Sequence, residues 1–96
     1  MKTIKRVEII PSFVEFIPSP ELMEDGIIYI SEEYGVANHL CLCGCKEQTV
    51  TPLGEGEWTL TKKDGKISLS PSIGNFIGEN PYHAHYIITD NIANFV

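Results

Sequence analysis

The chain has 96 residues, 43% hydrophobic and 21% charged, with thirteen acids against seven Lys and Arg for a net charge of −6. That length allows one small domain, residues 1–96, burying roughly 60–65% of its unfolded surface, so the core is marginal and a staple would stabilise it. The cations are scattered, with only Lys5-Arg6 and Lys62-Lys63 adjacent, which excludes the positive footprint that nucleic acid requires.

No apolar run approaches the roughly 18 residues of a membrane-spanning helix. The basic start from Met1 to Val7 lacks the apolar stretch of a signal peptide. The expectation is a cytoplasmic protein that meets neither membrane nor nucleic acid. The acids lean toward the first third: Glu8, Glu15, Glu21, Glu24, Asp25, Glu32 and Glu33. A solvated rim is the plain explanation, and a docking face for a basic partner is the sharper one.

In chain order the punctuation is that of a β protein. Glu8-Ile9-Ile10 ends at Pro11, and Phe13 to Ile17 ends at Pro18-Ser19-Pro20, so both read as short strands, since residues before proline favour extended backbone. Glu21 to Asp25 predicts one helical turn stopped by Gly26. The β-branched and aromatic run Ile27 to Ser31 predicts a strand. Val36 to Leu42 and Gln48 to Thr51 follow as strands. Trp58 to Ser70 predicts a hairpin about Asp64-Gly65, a dipeptide that tolerates positive φ. His83 to Thr89 alternates weakly, and Ile92 to Val96 returns after a turn at Asp90-Asn91. Seven or eight short strands at such spacing predict an all-β fold, a small barrel or sandwich. The aromatics Phe13, Phe16, Tyr29, Trp58 and Tyr86 fall at alternating positions and read as core.

Three cysteines lie within five residues, Cys41-Leu42-Cys43-Gly44-Cys45, two residues after His39. In an extended chain His39, Cys41 and Cys43 share one face, and Gly44 permits a turn that brings Cys45 back. An odd cysteine count in a cytosolic chain argues against a disulfide framework. A second donor pair, His83 and His85, lies downstream. Three thiolates and one imidazole make a tetrahedral Cys₃His zinc set, closed and structural because no position is left for water. Such a zinc would staple the small core. The competing explanation is that the cysteines are buried packing residues and the histidines ordinary polar ones. The H-E-x-x-H motif of zinc proteases is absent.

Ser72 lies between Pro71 and Gly74, in a segment expected to hold a defined bend. A hydroxyl on such a bend can act as an activated nucleophile, with N–H groups around Gly74 as an oxyanion hole. An ordinary turn with Ser72 bonded to backbone is the alternative. The only imidazole bases are His39, His83 and His85.

Several motifs then fall in order: His39 to Cys45, Val50-Thr51-Pro52-Leu53, Trp58-Thr59-Leu60, Ser68 to Asn75, and His85-Tyr86. Together they resemble a small bacterial zinc-binding domain-of-unknown-function family encoded in ubiquitin-like conjugation operons (Bub, bacterial ubiquitination-like), over about residues 13–96. The resemblance implies a zinc-stabilised domain with a peptidase role, processing or deconjugating a ubiquitin-like protein. Cys41, Cys43, Cys45 and His85 match the family's metal-type residues, and Ser72 its serine. One departure stands out, because the family reads Pro-Cys-x-Ser-His where this chain has Pro81-Tyr82-His83-Ala84-His85. With His85 counted as a zinc ligand its lone pair is used, so the general base falls to His39. Asp90 and Glu79 are candidates for a third, orienting group. The tail of a ubiquitin-like protein would bind as an added strand. The alternative function is a non-catalytic zinc-binding adaptor for a ubiquitin-like protein or its conjugating enzymes.

Overall fold

The computed structural model describes residues 6–42, 48–77 and 80–95, with the backbone alone described at 71, 74–77 and 80–84. Among the described residues nine strands form: β1 (Arg6–Glu8), β2 (Ile10–Phe13), β3 (Ile27–Ser31), β4 (Val36–Leu40), β5 (Gln48–Pro52), β6 (Thr59–Lys63), β7 (Lys66–Ile77), β8 (Asn80–Thr89) and β9 (Ile92–Phe95). A 3-10 turn at Pro20–Leu22 stands where a helical turn was expected.

The strands make two open sheets, β1-β9-β8-β7-β6 and β2-β3-β4-β5. The all-β expectation holds as two layers, and the barrel alternative does not, since neither sheet closes. Ile28, Ile30, Ala37 and Cys41 from one layer meet Ile67, Leu69, Ile73, Tyr86, Ile88 and Ala93 from the other. This apolar interior supplies the main drive to fold. Met23, Tyr29 and Leu40 form a smaller cluster on the outer side of the four-stranded sheet, covered by Val14, Ile17 and Ile27.

Two hairpins follow directly from local chemistry. Asp64 and Gly65 have φ of 52° and 78°, and Asp90 and Asn91 have 49° and 65°. Paired left-handed residues match the right-handed strand twist, and Asp, Asn and Gly accept them at least cost. The second turn is also tied to β7, where Ile67 N–H donates to Asn91 Oδ1 at 2.8 Å and Asn91 N–H to the Ile67 carbonyl at 2.9 Å.

Pro11 does not end a strand as expected. β2 runs through Pro11, paired parallel to β3 on the sheet's edge, where a missing N–H leaves no ladder bond unmade. β7 likewise runs through Pro71. Its ladder with β6 stops at Thr59 opposite Ser70, and its register with β8 shifts between Leu69 and Ile73. Four steps on β7 there span two on β8 (Leu69 opposite Ile88, Ile73 opposite Tyr86), so β7 carries two extra residues. Proline is tolerated at such a bulge. The expected bend around Ser72 is therefore a bulge within one twelve-residue strand.

Two of the aromatics expected in the core lie outside it. Phe13 is 49% exposed and Phe16 64% exposed. Phe16 stacks at 5.6 Å on Tyr34, and the Lys62 ammonium sits 5.6 Å from the centre of the Phe13 ring. Tyr29 and Tyr86 are buried, and Trp58 packs half-buried against the main core. No helix among the described residues is long and apolar enough to cross a membrane.

Candidate active site

Alternation along β7 and β8 decides where Ser72 points. Beyond the bulge the β7–β8 ladder is regular, with Ile73 opposite Tyr86 and Gly74 opposite His85. Side chains alternate along a strand, so the buried pair Ile73 and Tyr86 faces the core and the next residues face outward. His85 therefore stands on the outer face of the five-stranded sheet, opposite a glycine that leaves its imidazole room. Ser72, two residues from Gly74, is its diagonal neighbour on that face. The two side chains meet, with Ser72 Oγ 2.7 Å from His85 Nε2, both half-buried.

With the ring proton on Nδ1, Nε2 accepts the serine hydroxyl proton. That is the arrangement in which an imidazole activates a nucleophile. The pair can carry out acyl transfer.

The expectation that His39 serves Ser72 is corrected by the same alternation. His39 lies on β4 in the other sheet, is 0% exposed, and sits 2.6 Å through Nε2 from the Tyr86 hydroxyl. Tyr86 points inward from β8 while its neighbour His85 points outward, so the backbone of the five-stranded sheet separates His39 from Ser72. The two rings meet edge-on across the core, with centroids 5.9 Å apart. Burial lowers the His39 pKa from 6.5 to about 4, which keeps the ring neutral, and its Nδ1 has no hydrogen-bond partner among the described residues. His39 is a buried cross-sheet polar contact.

Asp90 does not reach the pair either. It occupies the β8–β9 turn, five residues past His85 and hence about 16 Å along the strand, and its N–H donates to Ser68 Oγ. Glu79 lies outside the described residues, as do Cys43 and Cys45; of Tyr82 and His83 only the backbone is described.

The expected zinc set is tested at its two described members. Cys41 is 1% exposed and belongs to the apolar inter-sheet core, where burial disfavours a thiolate unless a metal holds it. His85 does not fit both of its candidate roles, because a nitrogen given to a metal leaves the ring unable to take the serine proton, and its Nε2 is turned to Ser72. Among the described residues no three His, Cys, Asp or Glu side chains gather as a metal site.

The register of β7 against β8 was the signal missed in the sequence. Had the two been treated as one antiparallel pair, Ser72 and His85 would have fallen on one face.

The model of a family described as the bacterial ubiquitination-like system serine protease, BubE, matches residues 13–96. Neither a curated protein nor a solved structure matches the chain. The match covers most of the sequence, and the chain belongs to the BubE family.

Proposed function

We propose that this member of the BubE family is a serine hydrolase that cleaves the acyl bond at the C-terminal tail of a ubiquitin-like protein, with Ser72 as nucleophile and His85 as general base. The family's description supports the serine-protease class and a ubiquitination-like setting. The observation that carries the residue assignment is the 2.7 Å contact between Ser72 Oγ and His85 Nε2.

Ser72 Oγ attacks the scissile carbonyl as its proton passes to His85 Nε2. Collapse of the tetrahedral species breaks the bond to the leaving amine, which takes that proton from the imidazolium. Water then attacks the acyl-serine, giving one proton to His85, and Ser72 leaves with it. Such proton transfer contributes about 10²–10⁴-fold to the rate. The outward placement of the pair leaves the nucleophile open to a macromolecular substrate. A buried dyad would admit only small ones.

Zinc belongs to this proposal as a structural group held by the thiolates of Cys41, Cys43 and Cys45, with a fourth donor other than His85 closing the set. Bound there it would supply folding energy, and no step of the reaction passes through it.

The test is a fluorophosphonate probe, which labels an activated serine without needing a peptide, followed by cleavage of the system's own ubiquitin-like protein carrying a C-terminal extension. Labelling at Ser72, abolished in Ser72→Ala and cut at least a hundredfold in His85→Gln, supports the dyad. Cleavage that survives Ser72→Ala overturns it. Absent labelling and cleavage, with retained binding of the ubiquitin-like protein, would support the adaptor function instead.

A further inference from the structure

The strand that carries Ser72 is paired on both sides only as far as Ser70. From Lys66 to Ser70 it lies between β6 and β8. From Pro71 to Ile77 it keeps β8 as neighbour, and on the other side no strand pairs with it among the described residues. The cause lies in the chain before β6. Trp58 donates its N–H to the Pro52 carbonyl at 3.0 Å and accepts from Gly54 N–H at 3.0 Å, while Leu53 N–H donates to the Gly35 carbonyl at 2.8 Å. Leu53 and Trp58 form an isolated parallel bridge. The backbone at Trp58 is thus committed to the end of β5, so the chain meets β7 only from Thr59 onward.

Among the described residues that leaves a seven-residue edge without a neighbouring strand, roughly 20 Å long. Its second residue is Ser72, held by His85. An open edge presents unpaired N–H and C=O groups that template another extended chain.

We infer that the edge of β7 from Pro71 to Ile77 is the substrate groove, and that the polypeptide segment containing the scissile bond binds there as an added strand in line with β6. This rests on the serine-hydrolase proposal and adds how the substrate is held. A strand in this place runs directly past Ser72. Recognition would be through main-chain hydrogen bonds. It therefore requires a flexible, extended segment such as a protein tail and excludes a folded loop.

The experiment uses a peptide of the ubiquitin-like protein's last eight residues bearing a C-terminal coumarin amide, with one backbone nitrogen methylated at a time. Successive N–H groups of a strand face opposite edges. Methylation at every second position should raise KM at least tenfold, with intervening positions within twofold, while fluorophosphonate labelling of Ser72 stays unchanged. Labelling that persists without any such alternation overturns the strand and leaves the dyad standing. Failure of labelling overturns the dyad instead. In that event amide exchange on the Ser72→Ala protein decides: slowed exchange over 72–77 with peptide supports the groove, and unchanged exchange overturns it. Protection of those amides by concentration-dependent dimerisation without peptide would assign the edge to a second copy and overturn the proposal.

Discussion

Replacing Tyr86 with Phe removes one oxygen from the middle of the core and nothing else. That oxygen sits 2.6 Å from His39 Nε2, and both residues are 0% exposed. His39 Nδ1 has no partner among the described residues, so the variant leaves a buried imidazole without a hydrogen bond at either nitrogen. Leaving a buried polar group unsatisfied costs about 1–3 kcal/mol. A domain of this size has a total stability of about 5–14 kcal/mol, so the loss is a large fraction. Near the melting point about 1 kcal/mol corresponds to about 4–8 °C. The aromatic packing on Phe95, at 5.0 Å between ring centres, is retained by the phenylalanine. Urea unfolding followed by Trp58 fluorescence should show the midpoint falling by about 1 M with an unchanged slope. The companion variant His39→Leu/Tyr86→Phe removes both polar partners, and it should be more stable than the sum of the single losses predicts. Ser72 labelling of the folded Tyr86→Phe protein should match the wild type, since that pair occupies the other face of the sheet. A Tyr86→Phe stability within about 0.3 kcal/mol of wild type, together with zero coupling in the cycle, would refute the cross-sheet bond.

Acid should act through the same histidine. Its folded pKa of about 4 lies below the ordinary 6.5, so between those values the unfolded chain binds a proton that the fold does not. The His39 contribution is complete above pH 6.5 and is lost progressively as pH falls to 4, amounting to about 3 kcal/mol. His39→Gln should flatten the stability profile over that window, and parallel profiles would rule this out. Under the zinc proposal, the purified protein carries near-stoichiometric zinc, and both a chelator and Cys43→Ala lower its melting temperature. Metal-free protein with an unchanged melting temperature after chelation would end that proposal. Phe16→Ser should alter stability by less than about 1 kcal/mol, because the ring is 64% exposed and touches Tyr34 at the surface. A loss of 3 kcal/mol or more would restore Phe16 to the core.

The sequence by itself determined the β class, both positive-φ turns and the chemistry-bearing residue types, because each depends on neighbours a few positions away. Asp64-Gly65 and Asp90-Asn91 take left-handed backbone for reasons internal to those dipeptides. Short-range rules failed where a partner strand overrode them. Pro11 reads as a strand end and Pro71 as part of a bend, yet an edge position and a bulge accommodate both within strands. Phe16 followed a strand alternation that stops short of it, since β2 ends at Phe13, and Phe13 is exposed at that last position of the edge strand. The choice between His39 and His85 was beyond any local rule. It turned on the pairing of β7 with β8, which places Gly74 opposite His85 and Ser72 beside it on the outer face. Adjacent residues on β8 then divide the work by alternation, with Tyr86 turned inward to His39 and His85 turned outward to Ser72. A sequence records that a serine and three histidines are present, but register between distant strands is a property of the packed sheet, and only the tertiary structure decides which of them meet.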